Sequence, residues 1–206
     1  MMRDIKNEIE QADYVLVGIG SEWKAQEGME NTILEAYNKL ADILKDKNYY
    51  IVTTCYDDII FDSDLKKEQI TAPCGSIRRY QCENGCTGVI KSEDEVNKDS
   101  TCPVCGGQYV KNIVKADKYN EEGYMDSWKN YGTWLSRTLN RKVVILELGT
   151  DFTYPTVIRW AFEKVVMINN KAYMYRINEK FWQLTEEINE KAESIKMNSI
   201  DYINKY

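Results

Sequence analysis

The chain has 206 residues, 43% of them hydrophobic and 29% charged, with a formal net charge of -6 and a pI near 5.0. That is enough apolar material for one full core, and the acidic balance disfavours a nucleic-acid partner, since no local basic patch is visible beyond Arg78-Arg79. Histidine is absent, which removes the commonest general acid or base at neutral pH.

The start, MMRDIKNEIE, is charged from its third residue and carries no signal-peptide pattern, and no later apolar run reaches membrane-spanning length. A cytoplasmic protein with no membrane partner is therefore expected. Ile5, Ile9 and Ala12 have helical spacing and lead into a strand at Tyr14 to Val17 that ends in a turn at Gly18-Ile-Gly20. From Met29 to Asp46, Ile33, Tyr37, Leu40 and Leu44 mark one buried helical face. Tyr49 to Val52 reads as a second strand, after which Thr53-Thr54-Cys55 replace the apolar run.

From Pro73 to Asn112 the character changes: five of the six cysteines fall here, and helical periodicity is weak. Beyond it, Trp128, Tyr131, Leu135 and Leu139 line a helix, and Val143 to Leu146 reads as a buried strand followed by Gly149-Thr150-Asp151. A helix is expected from Thr156 to Met167 with Pro155 near its first turn, then a strand from Ala172 to Ile177. Phe181, Leu184, Ile188, Ala192 and Ile195 predict a final amphipathic helix starting near Thr185. Strands alternating with helices imply an α/β fold, a Rossmann-like parallel sheet with helices on both faces. The domain reading is a discontinuous nucleotide-binding domain, residues 1–72 and 113–206, interrupted by a zinc-ribbon insertion, residues 73–112.

Cys82 and Cys86 enclose three residues, and Cys102 and Cys105 enclose two before Gly106-Gly107. Each pair offers two thiolates from one tight turn, and two such turns complete a closed tetrahedron around zinc. Four thiolates leave no position for water, so the expected zinc is structural. Three strand-end loops have residues suited to a phosphate-bearing ligand: Gly18-Ile-Gly20-Ser21, Thr53 to Asp57, and Gly149-Thr150-Asp151. Glycine lets backbone N–H groups approach a pyrophosphate, and open α/β sheets bind ligands beyond the carboxyl ends of their strands.

The order of these loops, with four cysteines between the second and third, resembles the sirtuin family of NAD-dependent protein deacylases. Val17 to Ser21 resembles that family's glycine-alanine-glycine loop, and Val52 to Asp57 its threonine-glutamine-asparagine-isoleucine-aspartate motif. Pro73 to Ser76 lies at its histidine-glycine-serine motif, Gly149 to Asp151 at its glycine-threonine-serine loop, and Ile177-Asn178-Glu179 at its ribose-contacting strand end. The resemblance spans about Ala12 to Glu179. It implies the sirtuin-like, DHS-type fold, zinc and NAD or ADP-ribose as cofactors, and a protein or peptide partner. Carried over, the cofactor residues are Gly18, Gly20, Ser21, Thr54, Asp57, Gly149, Thr150, Asp151 and Asn178.

The departures bear on activity. Cys74 stands at the family's general-base histidine, Cys55 at its asparagine and Thr54 at its glutamine. Only 32 residues separate Gly20 from Thr53, which implies a reduced helical module. The leading reading is thus an NAD- or ADP-ribose-binding protein with lysine deacylation lost or impaired. One alternative is an NAD-consuming enzyme, a glycohydrolase or ADP-ribosyltransferase, with Asp57 and Cys74 as the catalytic candidates and Ser21 assisting. The other is a zinc-ribbon interaction module with no nucleotide ligand.

Overall fold

The computed structural model describes residues 5–86 and 88–205. The charged start, residues 1–4, lies outside them, as do Thr87 and Tyr206. In chain order the elements are α1 (Ile5–Glu10), β1 (Tyr14–Ile19), α2 (Glu30–Leu44), β2 (Tyr49–Thr53), β3 (Ile70–Thr71), β4 (Gly75–Cys82), β5 (Ile90–Ser92) and β6 (Tyr109–Ile113). Then follow α3 (Met125–Ser136), β7 (Val143–Leu148), α4 (Arg159–Ile168), β8 (Ala172–Ile177), β9 (Ala192–Ile195) and α5 (Ser199–Lys205).

Six strands form one wholly parallel sheet in the order β3-β2-β1-β7-β8-β9. Its central strands read as continuous apolar runs, as strands covered on both faces must. Alternation assigns each side chain to a face: Val15, Val17 and Ile19 of β1 pack with Val144, Leu146 and Leu148 of β7 against α1, α2 and α5. Leu16, Val143, Ile145 and Met174 face the other way, onto Tyr131 and Trp134 of α3 and Phe162 and Val166 of α4. Each such aliphatic side chain, withdrawn from water, contributes about 1.5–3 kcal/mol. The chain leaves β1 toward β2 and β3 and later returns on β1's other side as β7, so the strand order reverses between β1 and β7. That reversal opens a crevice at the carboxyl ends of these strands.

The segment between β3 and α3 makes a separate antiparallel sheet, ordered β5-β4-β6. Among the described residues no helix is long and apolar enough to cross a membrane.

Four expectations need correction. Gly18 is not in a turn but inside β1, where an added Cβ would lie 2.7 Å from the Phe162 ring, so the residue is small to let α4 pack on the sheet. The helix near Pro155 begins at Arg159, with the Pro155 carbonyl accepting the Trp160 N–H. Leu139 lies beyond the end of α3 and is exposed. The expected helix from Phe181 to Ile195 is absent: the chain runs extended, makes a 3-10 turn at Glu186–Lys191 and joins the sheet edge as β9, with Glu193 opposite Tyr175. Two arginines capture carbonyls of this segment, Arg159 those of Phe181 and Gln183 and Arg176 that of Gln183, and the open edge of β8 supplies ladder bonds. Those bonds outweigh an apolar spacing that fits a helix.

Candidate functional site

The three strand-end loops meet. Gly20 N–H donates to Leu148 O at 2.9 Å, Thr54 N–H to Ile19 O at 3.0 Å, and Glu22 N–H to Gly149 O at 3.2 Å. These bonds continue the sheet past its last residues and draw the loops after β1, β2 and β7 into one rim. The approach is close enough to require glycine. A Cβ on Gly20 would sit 2.3 Å from Thr150 Cα, and Gly149 adopts φ +62°, where a side chain is strained.

Between the loops lies a cavity of about 200 Å³ lined by Ser21, Thr54, Cys55 and Asp151, with Tyr154 and Lys115 closing one side. Tyr56 also lines it, with the ammonium groups of Lys24 and Lys115 lying 5.2 and 5.8 Å from its ring centroid. Two exposed cations at the mouth of a crevice in an acidic protein create a local field that favours an anionic ligand.

Several sequence-predicted residues are occupied within the protein. Thr150 is buried and its hydroxyl donates to Glu147, so its backbone, not its side chain, faces the rim. Asn178 is also buried: its Nδ2 donates to Thr150 O at 2.6 Å and its Oδ1 accepts the N–H groups of Lys180 and Phe181. Asp57, half-buried, accepts the N–H groups of Ala25 at 3.1 Å and Ile59 at 3.3 Å and so fastens one loop to another. Gly18 lies within β1, two residues before the Gly20 turn, and its missing Cβ makes room for Ile158 and Phe162.

The two cysteines at the resemblance's departures are buried, and burial favours the neutral thiol. Burial, and then the negative charge of Asp151, push the Cys74 thiol up to about 12. Cys55 is raised further by burial and by Asp57, and its Sγ lies 3.3 Å from Gly20 O. An upward shift of this kind disfavours the thiolate that a base or nucleophile requires.

The four paired cysteines converge at the end of the three-stranded sheet. Cys82 closes β4, and the sulfurs of Cys82, Cys86, Cys102 and Cys105 all lie within 4.8 Å of one another. Sulfur–sulfur edges of ~3.8 Å are what four 2.3 Å Zn–S bonds would produce. The Cys82–Cys105 separation of 3.4 Å is near that edge and far beyond a disulfide. Asn84 supplies hydrogen bonds that suit thiolates, its backbone N–H to Cys82 Sγ at 3.3 Å and its Nδ2 to Cys105 Sγ at 3.4 Å. Gly106, at φ +74°, makes the second turn possible.

Sequence reasoning passed over several residues that build the site. Glu22 accepts the Glu179 N–H at 2.8 Å and both the N–H and hydroxyl of Ser199, so it ties the first loop to the ends of β8 and α5. Beneath the third loop lies a buried ion network: Arg176 meets Glu147 and Glu163, each at 2.8 Å, and Arg159 meets Glu147 at 3.3 Å. Its signal was present, as Glu147 and Arg176 are single charges inside otherwise apolar strands. Lys115 and Tyr154 gave none, since only tertiary folding brings them to Ser21.

No family model matches the chain. It is 28% identical over 139 residues to a protein of Fusarium oxysporum f. sp. cubense named as a probable bifunctional ADP-ribose hydrolase/ADP-ribosyltransferase, covering 57% of this chain. It is 19% identical over 181 residues to a protein ADP-ribosyltransferase of Staphylococcus aureus strain Mu50, covering 80% of this chain. The matches span 23% and 58% of those two relatives' lengths. Among solved structures, a mutant Sir2 homologue in complex with ADP-ribose superposes with a TM-score of 0.67 at 13% identity, covering 100% of this chain and 94% of that one. Sir2Af2 bound to a myristoylated histone peptide gives 0.61 at 11% identity, covering 97% and 92%. The fold is therefore sirtuin-like, a parallel six-stranded sheet with a four-cysteine cluster beside it.

Proposed function

We propose that this chain is a divergent sirtuin-like protein that binds NAD or ADP-ribose at the carboxyl ends of β1, β2 and β7. The observation that carries this reading is the meeting of the three loops, with Gly20 and Thr150 in van der Waals proximity and two lysines at the mouth. The backbone N–H groups after β1 and β7 would hold the pyrophosphate, with Ser21, Thr54 and Asp151 along the crevice. A cavity of about 200 Å³ is smaller than the roughly 300–1,000 Å³ that encloses a whole ligand, so the rest of the dinucleotide would lie along the open strand ends. That a Sir2 homologue of the same fold is solved in complex with ADP-ribose supports a ligand of this class.

The four cysteines would hold one zinc ion, which orders residues 73–112 as a ribbon inserted in the domain formed by residues 1–72 and 113–206. Its tetrathiolate set is structural, and six unpaired thiols suit the reducing cytoplasm. Ordinary lysine deacylation would lack its usual base here, because the chain has no histidine and burial holds the Cys74 thiol well above the ordinary thiol range.

The second reading is NAD consumption, by ADP-ribosyl transfer or glycohydrolysis, and the names of the two curated relatives favour it. On this reading Asp57 and Ser21 would serve the ribosyl end, and a protein or peptide, the kind of partner seen with Sir2Af2, would be the acceptor. Calorimetric titration with NAD and ADP-ribose, beside an assay for released nicotinamide, separates the readings. Saturable binding without nicotinamide release supports the binding protein. Release supports the enzyme. No heat and no thermal shift with any adenine nucleotide leaves only the zinc-ribbon scaffold.

A further inference from the structure

A second cavity, of about 410 Å³, opens between the three-stranded sheet and the β3 edge of the main sheet. It is twice the size of the crevice and within the range of small-molecule sites. Its polarity is unusual for a protein of net charge -6, because Lys67, Arg78 and Arg79 all line it. Arg78 is neutralised by a two-pronged pair with Asp62. Arg79 is in no such pair: its guanidinium meets the neutral carbonyl of Gly123, and among the described residues no carboxylate lies within 4.0 Å of it or of Lys67, although Asp58 and Asp62 act on them at longer range.

The cavity also contains a specific acceptor. Asp58 is 4% exposed and held in the left-handed region at φ 66°, an uncommon conformation that aspartate tolerates better than most residues. Its Oδ2 accepts both the Ser76 hydroxyl at 2.6 Å and the Arg78 N–H at 3.0 Å, while Oδ1 takes neither bond. Two cations outside any close ion pair and one buried acceptor, walled by Phe61 and Ile70, make a receptor with distinct ends.

We propose that this cavity is a second ligand site, separate from the nucleotide crevice, for a small molecule bearing one oxyanion, a phosphate or a carboxylate, together with hydroxyl or amine donors. The oxyanion would lie between Lys67 and Arg79, with the planar guanidinium offering paired donors, and a donor group would reach Asp58.

The test is amide NMR of the zinc-loaded, 15N-labelled chain, titrated in separate arms with inorganic phosphate, with acetate, and with sodium chloride matched for ionic strength. Saturable shifts at Ser76, Arg78 and Tyr124 in the phosphate or acetate arm, unchanged by prior excess ADP-ribose, are expected. The arm that saturates identifies the oxyanion. The double variant Lys67→Gln/Arg79→Gln, checked for a preserved spectrum, should weaken binding at least tenfold. Shifts that follow chloride at every exposed Lys and Arg, displacement of the probe by ADP-ribose, or full affinity in the double variant would each overturn the proposal.

Discussion

Replacing Arg176 by leucine removes the centre of the buried ion network beneath the third loop. Arg176 is fully buried and binds Glu147 and Glu163, each at 2.8 Å, and also donates to Gln183 O at 2.7 Å. Glu147, equally buried, would keep only Arg159 at 3.3 Å and the Thr150 hydroxyl, and Glu163 would lose its ion pair with Arg176. One buried carboxylate would then keep a single arginine and the other would have no close ion pair. Breaking a buried pair from one side costs about 3–5 kcal/mol, a large part of the ~5–15 kcal/mol that holds a domain folded. For a chain of this size each kcal/mol moves Tm by about 2–4 °C, so a fall of about 6–20 °C is expected in a circular-dichroism melt. Replacing Glu147, Glu163 and Arg176 together by leucine or methionine should recover most of that loss, because no unpaired carboxylate remains. ADP-ribose affinity should fall in Arg176→Leu as well, since Thr150 leans on Glu147. A change below about 1 kcal/mol, the value of a surface pair, would refute the reasoning.

Three further outcomes follow from the geometry. Gly20→Trp places its Cβ 2.3 Å from Thr150 Cα and should abolish ADP-ribose binding by calorimetry while zinc content stays at one ion per chain. Cys74, whose thiol is pushed up to about 12, should resist iodoacetamide at pH 8 in mass-spectrometric mapping, and Cys74→Ala should bind ADP-ribose normally. Because its folded-state value lies above the unfolded one, it should instead cost stability as pH rises past the ordinary thiol range, visible as a Tm that declines above pH 9 in the parent and less steeply in Cys74→Ala. Chelation of zinc should raise amide hydrogen exchange across β4, β5 and β6 and leave β1, β7 and β8 protected, because the latter stand on two apolar cores remote from the cysteines.

The parts of the molecule legible from the chain are those dictated locally. Val143 to Leu148 and Tyr49 to Thr53 announce buried parallel strands because nearly every residue is β-branched, aromatic or leucine. The paired cysteines announce their cluster because a tight turn sets the distance between two sulfurs whatever the rest of the fold does. The loops' convergence was readable from their order along an α/β chain, since ligand crevices form where strand order reverses. Residues decided by tertiary competition were not readable. Ile188, Ala192 and Ile195 have helical spacing, yet the open edge of β8 and two buried arginines draw that segment into an extended path. Thr150 and Asn178 have side chains suited to a ligand, but Glu147 and the Thr150 carbonyl engage them first.

The account stands on a nucleotide lying across the ends of β1, β2 and β7, and a crystal structure of the zinc-loaded chain grown with ADP-ribose tests that most directly. The pyrophosphate should lie within hydrogen-bonding distance of the backbone N–H groups around Gly20–Ser21 and Gly149–Asp151, with its ribosyl end toward Thr54 and Lys24. ADP-ribose bound elsewhere, or crystals that stay free of it at millimolar concentration, would contradict the account.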